Sequence, residues 1–196
     1  MKKAREIEIP EDRNLTWDEY IDFSSHAVKS SSWYASNYVR NSNQIREKLY
    51  KKGYPKEEVT VDLPDGSTVS KNMVEDTVLR MVEMILIDDK QYATSLINSS
   101  LARGLGLSRV RSVLLEKKVD SDLAQELLET LELDDRKNEA LDKAAQRVVR
   151  SSAFRRLDTG WPRQQKLTQQ LAVKGFSFSD ISEWREDNQE LMEEEY

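Results

Sequence analysis

The chain has 196 residues, of which 34% are charged and 38% hydrophobic, with six glycines, four prolines and no cysteine. The lack of cysteine excludes disulfides, thiolate nucleophiles and thiolate zinc sites, and it is typical of the reducing cytoplasm. A net charge of −6 argues against a simple nucleic-acid coat, because such proteins carry a basic excess.

The chain begins with a charged arm, residues 1–15, which has no apolar segment typical of a signal peptide. No stretch of the sequence approaches the ~20 apolar residues that a membrane span requires, so we expect a cytoplasmic protein. Thr16 and Glu19 have the spacing of a capping box, which predicts a helix that begins near Trp17. The serines between residues 24 and 32 predict a break in this helix.

A short basic helix and a hairpin are expected next. Ser42 or Asn43 is the predicted cap of the helix, and Gly53 is its predicted end, because a glycine readily adopts a positive φ after the last turn. Residues 59–70 alternate β-branched and polar side chains around the turn Pro64-Asp65-Gly66, which predicts a β-hairpin. Two strands alone are marginally stable, so the hairpin must lean on the helices or be partly mobile.

The rest of the chain favours helices with one apolar stripe each. Their predicted starting points are Met73, Asp88 or Asp89, Ser108, Asp120 or Ser121, Asp134 or Asp135, Pro162, and Ser177 or Ser179. The C-terminal residues 187–196 form an acidic tail, which we expect either to fray or to compete with a polyanion for the basic face.

Three of the short helices share one pattern of apolar residues and turn residues. The first has Ile45, Leu49, Lys52-Gly53-Tyr54 and Val59; the last has Leu167, Leu171, Lys174-Gly175-Phe176 and Ile181; the middle one has Val110, Leu114, Lys117-Lys118-Val119 and, one residue out of step, Leu123. Such self-similarity predicts an all-α protein of three tandem three-helix repeats in an elongated, curved, solenoid-like array, with the hairpin as an insertion in the first repeat. The predicted repeats are 16–87, 88–133 and 134–186. Chance recurrence of lysine-glycine helix endings is the alternative.

Positive charge is concentrated in parts of these repeats, although the chain as a whole is acidic. If the repeats stack, their cations could share one face that binds phosphate or carboxylate groups; the alternative is an ordinary solvated surface. The candidate partner-binding residues are Lys51, Lys52, Arg103, Arg109, Arg111, Lys117, Lys118, Arg147, Arg150, Arg155, Arg156, Arg163 and Lys166.

The chain resembles the RecX family over about residues 30 to 186. The resemblance is carried by Ile85-Leu86-Ile87-Asp88-Asp89, Gln91-Tyr92-Ala93, Arg103-Gly104, Gly106, Arg109, Leu114 and Lys117-Lys118, and by the Lys-Gly-Tyr and Lys-Gly-Phe turns of the outer repeats. It implies a regulator that binds RecA, lodges along the groove of the RecA–DNA filament, and restrains strand exchange and ATP hydrolysis in recombination and DNA repair. The hairpin, Lys118 in place of a common glycine, and the acidic tail depart from the usual pattern.

Nothing in the sequence indicates catalysis, a cofactor or a metal site. His26, the one histidine, is expected to be a surface or half-buried residue. Asp88 and Asp89 are better explained as helix caps than as a metal or acid–base pair. Gly104 and Gly106 are turn glycines, because neither a preceding strand nor a following Gly-Lys-Ser or Gly-Lys-Thr makes a phosphate loop.

The sequence also allows two other functions, and it leaves open the role of four aromatic residues. A helix-turn-helix regulator would place a short basic helix in the major groove and bind duplex with sequence preference, and a helical adaptor would bind protein alone. Four aromatic residues are expected in the core or at its rim, with base stacking as the alternative: Trp33, Tyr34, Trp161 and Phe176.

Overall fold

The computed structural model describes residues 9–10, 12–37, 40–132 and 135–193. The chain forms two compact units, Met1–Tyr92 (unit 1) and Ala93–Tyr196 (unit 2). Within the described ranges, eleven helices and a three-stranded sheet confirm a mostly helical fold. The division into three repeats stays a prediction.

Unit 1 contains one small sheet and the first helices of the chain. Its elements are β1 (Asn14–Thr16), α1 (Trp17–Asn37), α2 (Ser42–Lys51), β2 (Val59–Asp62), β3 (Thr68–Lys71), α3 (Met73–Glu83) and the start of α4 (Asp89–Ala102). The capping box is confirmed: the Thr16 amide donates to Glu19 Oε2 at 2.9 Å, and the Glu19 amide donates to Thr16 Oγ1 at 3.4 Å. The predicted helix start is therefore correct.

The predicted break in α1 is wrong. The helix is continuous from Trp17 to Asn37, because the packing of Tyr20 and Ala27 in the core of unit 1 overrides the weak helix preference of serine. Ser30 Oγ donates to the Ala27 carbonyl at 3.3 Å, and Ser36 Oγ donates to the Ser32 carbonyl at 2.8 Å.

The hairpin is confirmed as β2 and β3, paired antiparallel with Val61 opposite Val69. The sequence missed β1, which lies within the predicted arm and pairs parallel to β2, with Leu15 opposite Val61. Leu15, Val59 and Val61 are buried in the core of unit 1. The hairpin is therefore part of a mixed sheet that packs against the helices. It is not the simple insertion that the sequence predicts.

Helix caps lie close to their predicted places. Asn41, not Ser42 or Asn43, caps α2, with its side chain accepting from the Gln44 amide at 2.9 Å. Asp88 accepts from the Gln91 amide at 2.7 Å and so caps α4. Its neighbour Asp89 accepts from the Ser42 amide at 2.7 Å, so both carboxylates serve helix starts.

The predicted apolar stripe from Met73 to Ile87 is only partly buried. Val74, Val78 and Met81 lie in the core, whereas Val82 and Ile85 are exposed. Val82 lies within α3 but outside its buried face, whereas Ile85 lies beyond the end of α3 at Glu83 and reverses the chain with a φ of 55°.

Unit 2 is helical throughout its described part. It contains the rest of α4, then α5 (Leu107–Glu116), α6 (Ser121–Glu132), α7 (Arg136–Val149), α8 (Ser152–Arg155), α9 (Trp161–Val173), α10 (Phe178–Asp187) and α11 (Gln189–Glu193). Asp120 caps α6 and Ser177 caps α10, as predicted. Asp135 makes no side-chain cap bond to α7, and the alternative cap, Asp134, lies outside the described residues, as do residues 1–8 of the arm and 194–196 of the tail.

The three short helices α2, α5 and α9 end in the same turn. Tyr54, Val119 and Phe176 each donate their amide to a carbonyl five residues earlier, at 3.0–3.2 Å. The residue before each donor has a positive φ: Gly53 91°, Lys118 62° and Gly175 90°. Because α3 and α4 close with the same bond, the turn alone does not establish a repeat.

Candidate partner-binding surface

The described cations of unit 2 converge most clearly where α4 ends against α7. Gly104 has a φ of 74°, and a Cβ added there would lie 3.2 Å from the Ala144 Cβ, so the turn packs closely on α7. This contact brings Arg103 to Arg147, whose Nη1 donates to the Arg103 carbonyl at 3.3 Å. The Arg103 guanidinium bonds back to its own helix, through the Ser99 carbonyl and Ser100 Oγ.

Further cations extend this group along α7. Arg136, Lys143, Arg147 and Arg150 lie within an arc of about 60° around the helix, at 100° per residue, and all are exposed. With Arg103 they form a row that we call the α4–α7 strip. The sequence analysis missed Arg136 and Lys143, although their heptad spacing to the other cations of α7 was a usable signal.

A shallow cleft of about 210 Å³ lies under the strip between α4 and α7. Its floor includes Ala102 and Ala140, and its rim includes Asn98, which accepts from Arg136 Nη1 at 2.9 Å. Glu139 is the carboxylate that lines this cleft. The strip therefore offers several cations beside a small apolar floor, a surface suited to phosphate or carboxylate groups.

The cations of α5 form a second group, Arg109, Arg111, Lys117 and Lys118, and all four are exposed. Arg109 stands beside the turn at Gly175, where a Cβ would lie 2.5 Å from the Arg109 amide nitrogen. Arg111 donates to the Gln125 side chain on α6. Lys117 and Lys118 directly follow the last residue of α5, Glu116, at the helix end where cations are favourable.

The chain is similar to proteins of one family. Residues of this chain match "Regulatory protein RecX" of Serratia proteamaculans with 28% identity over 113 residues, and that of Yersinia enterocolitica with 29% over 113 residues; each match covers 58% of this chain and 64% of the relative. The crystal structure of RecX from Lactobacillus salivarius has a TM-score of 0.66 at 21% identity and covers 85% of this chain and 97% of that one. The chain is similar to RecX proteins in sequence and in fold.

A second structural neighbour, the crystal structure of regulatory protein RecX, has a TM-score of 0.63 at 24% identity and covers 86% of this chain and 74% of that one. At these identities the two structures support the fold. No family model matches the chain. The matched region spans less than two thirds of the length of the RecX relatives. Their name, regulatory protein RecX, assigns a regulatory role to those proteins.

One predicted partner residue is corrected by its position in this RecX-type fold. Arg163 is 3% exposed, its Nε donates to the Leu157 carbonyl at 3.1 Å, and its guanidinium lies 5.7 Å from the Phe154 ring centroid. A guanidinium buried in this way supports the core and does not reach a partner. Its neighbours in the predicted set, Arg155 and Arg156, are exposed, and Lys166 is half-buried.

The remaining predicted cations lie in unit 1. Lys51 is exposed and Lys52 half-buried, both at the C-terminal end of α2. The candidate cations are thus divided between the two units, and a single face shared by all of them stays a prediction.

The histidine and the aromatic residues considered from the sequence lie in different surroundings. His26 is half-buried, and its Nδ1 lies 2.9 Å from the Tyr54 hydroxyl. Phe176 is a core residue, whereas Trp33 and Trp161 are 66% and 69% exposed, so a core position is wrong for those two. None of the helices in the described part of the chain is long and apolar enough to cross a bilayer.

Proposed function

We propose that this chain regulates RecA: it binds the RecA–DNA filament and restrains strand exchange and ATP hydrolysis without being an enzyme itself. The proposal extends to this chain the regulatory role that the RecX relatives' name carries. It includes action in the cytoplasm, direct DNA contact without sequence preference, and the three predicted repeats.

The α4–α7 strip is the observation that carries the proposal. Five exposed cations collect where the turn after α4 contacts α7, in a chain whose net charge is −6. Such a local excess attracts a polyanion despite the overall charge, because screening limits each charge to a range of about 10 Å. A filament offers DNA phosphates and protein carboxylates together, and Arg binds both through paired hydrogen bonds.

The direct test is the ATPase activity of RecA on single-stranded DNA, measured with increasing amounts of the purified chain. We expect inhibition near stoichiometric protein. Reversing two charges of the strip, Arg103→Glu with Arg147→Glu, should weaken inhibition at least tenfold, since each phosphate contact contributes to affinity.

A matched control reverses two exposed cations of unit 1 that are remote in sequence from the strip, Lys29→Glu with Lys56→Glu. This variant has the same net charge as the strip variant, so we expect it to inhibit within about twofold of the parent. Equal loss in both variants would mean that net charge alone matters, and would contradict a role for the strip. Parent protein without any inhibition would contradict the proposed function itself.

A helix-turn-helix function is disfavoured by the surroundings of α5. The start of a recognition helix must be open to base edges, but the Gly106 and Ser108 amides at the start of α5 donate to the Lys174 and Gly175 carbonyls. The protein-only adaptor predicts that reversal of the strip charges leaves the RecA ATPase activity the same as with the parent chain, which the same assay measures.

A further inference from the structure

A separate concentration of positive charge lies in unit 1, where α2 packs against the last turns of α1. Lys48 Nζ lies 3.5 Å from the centroid of the Tyr34 ring and donates to the Ser30 carbonyl at 3.1 Å. Arg40, in the connection between α1 and α2, places its Cζ 4.7 Å from the same centroid. Two cations therefore share one aromatic ring, and both are half-buried.

A third cation, Lys52, follows Lys48 by about one helical turn and is the C-cap of α2. Burial lowers the pKa of Lys48 to about 8, and the positive charges of Lys52 and Arg40 act in the same direction. Glu75, a carboxylate on α3, accepts two hydrogen bonds from the Arg46 guanidinium, at 2.7 and 2.8 Å. We call Tyr34, the two cations over its ring, Arg40 and Lys48, and the neighbouring Lys52 the tyrosine cluster.

The cluster is suited to a compact anion. Like charges at this spacing repel, and partial burial strengthens the repulsion relative to water. A bound phosphate would attract all three cations and so offset the repulsion between them. Lys and Arg groups of this kind, on a partly buried floor, are what phosphate groups bind in proteins.

An exposed aromatic residue directly precedes Tyr34 in α1. Trp33 is 66% exposed and precedes Tyr34, so its side chain leaves α1 about 100° around the helix from the ring that holds the cations. Cations along a backbone path with an aromatic surface beside them are the combination that binds single-stranded nucleic acid, because unpaired bases stack on the ring. Bases in a duplex are already stacked, and an acidic peptide has no base to place there.

We propose that the tyrosine cluster and Trp33 form a subsite for one nucleotide of a single-stranded nucleic acid, with the phosphate on Arg40, Lys48 and Lys52 and the base stacked on Trp33. This subsite belongs to unit 1, whereas the α4–α7 strip belongs to unit 2. It rests on the direct DNA contact included in the proposed function, and because its test contains no RecA, its failure is distinguishable from a failure of RecA regulation.

The test measures binding of the full chain to a fluorescein-labelled oligothymidylate of about 12 nucleotides, a length within the usual range of such sites. Lys48→Met with Lys52→Gln should weaken binding about tenfold. The control, Lys56→Met with Lys71→Gln, makes the same chemical changes elsewhere in unit 1, and Lys56 likewise lies over a ring, that of Tyr50. We expect the control to bind within about twofold of the parent; equal binding by parent and cluster variant would overturn the proposal.

Stacking is tested separately with Trp33→Ala, which should weaken binding about tenfold, and Trp33→Phe, which should restore most of it. An unchanged affinity in Trp33→Ala would overturn the assignment of a nucleotide. Unlabelled polyglutamate that displaces the probe as well as unlabelled oligothymidylate would also overturn it, in favour of an acidic protein segment.

NMR titration of the parent chain tests the proposal without a variant, so it does not depend on how well the variants fold. In the parent chain, NMR titration of Lys48 should show its pKa rising when oligothymidylate is added, because a neighbouring phosphate favours the charged amine. A Lys48 pKa that stays the same at saturating oligonucleotide would contradict phosphate binding at the cluster.

Discussion

The backbones of Gly106 and Gly175 are in direct contact in unit 2. A Cβ on Gly106 would lie 2.4 Å from the carbonyl carbon and oxygen of Gly175, and the Gly106 amide donates to the Lys174 carbonyl at 2.9 Å. The C-terminal carbonyls of α9 thereby satisfy amides at the start of α5, which joins two helix ends of opposite partial charge. This contact also seats Arg109 beside the turn.

We expect Gly106→Ala to destabilise the chain by about 2 kcal/mol or more, because the added methyl group would overlap backbone atoms that cannot move without breaking the contact. The backbone of Gly106 has a φ of −81°, so alanine causes no torsional strain there. Urea unfolding measures the change.

The control for this substitution is Gly66→Ala, in the hairpin turn. Gly66 has a φ of 85° with nothing within 4 Å of an added Cβ, so alanine should cost only about 1 kcal/mol of backbone strain. A smaller loss in Gly106→Ala than in Gly66→Ala would show that the close approach of the two glycines is wrong.

Acid should weaken unit 1 through Glu75. The bond from Arg46 holds the pKa of Glu75 below its ordinary value. A carboxylate with a lowered folded-state pKa stabilises the protein above its unfolded pKa of about 4.3, and this stabilisation is lost as the pH falls through the folded-state value. We therefore expect Glu75→Gln to cost about 1 kcal/mol at pH 7, since the pair is partly screened by solvent, and to flatten the loss of stability below about pH 5.

The matched variant is Glu57→Gln, which removes the same charge from the exposed pair with Arg13 at 3.3 Å. Exposed pairs contribute little, so its stability should follow the parent at every pH. Chemical unfolding at several pH values compares the three proteins, and parallel curves for Glu75→Gln and the parent would contradict the assigned role.

Local features of the fold could be predicted from neighbouring residues. The capping box at Thr16 and the cap at Asp88 were found because their partners lie three residues away. β1 could not be found in this way: Leu15 pairs with Val61 far along the chain, and three residues carry no periodic signal of their own. The helix break was wrong because a count of serines does not show that Tyr20 and Ala27 of the same helix pack in the core.

The candidate site could likewise be predicted only in part from the sequence. Arg103 and Arg147 were selected from local charge density, but only the packing of Gly104 on Ala144 shows that they meet. Arg163 was selected for the same reason and is buried, because its surroundings come from Phe154 and the Leu157 carbonyl. Charge along a sequence therefore predicts candidates, whereas tertiary packing decides which of them face a partner.

Lys118 should be replaceable with a gain in stability. It adopts a φ of 62°, a left-handed conformation that costs a residue with a side chain about 1 kcal/mol relative to glycine. Lys118→Gly is therefore expected to raise the free energy of unfolding by up to about 1 kcal/mol. In contrast, Lys117→Gly should lower it by about 0.5–1 kcal/mol, since Lys117 has a φ of −83°; the same sign for both variants in urea unfolding would contradict the assigned turn.

Arg163 should behave as a core residue. Arg163→Ala removes a buried guanidinium that caps the Leu157 carbonyl and packs near Phe154, and we expect a loss of about 2–3 kcal/mol, measured by urea unfolding. Arg156→Ala removes an exposed arginine of the same charge and should change stability by no more than about 0.5 kcal/mol. At temperatures where Arg163→Ala is still folded, its inhibition of RecA should match that of the parent, because a buried side chain makes no contact with the filament. Weakened inhibition by folded Arg163→Ala, with stability unchanged, would restore Arg163 to the partner-binding residues.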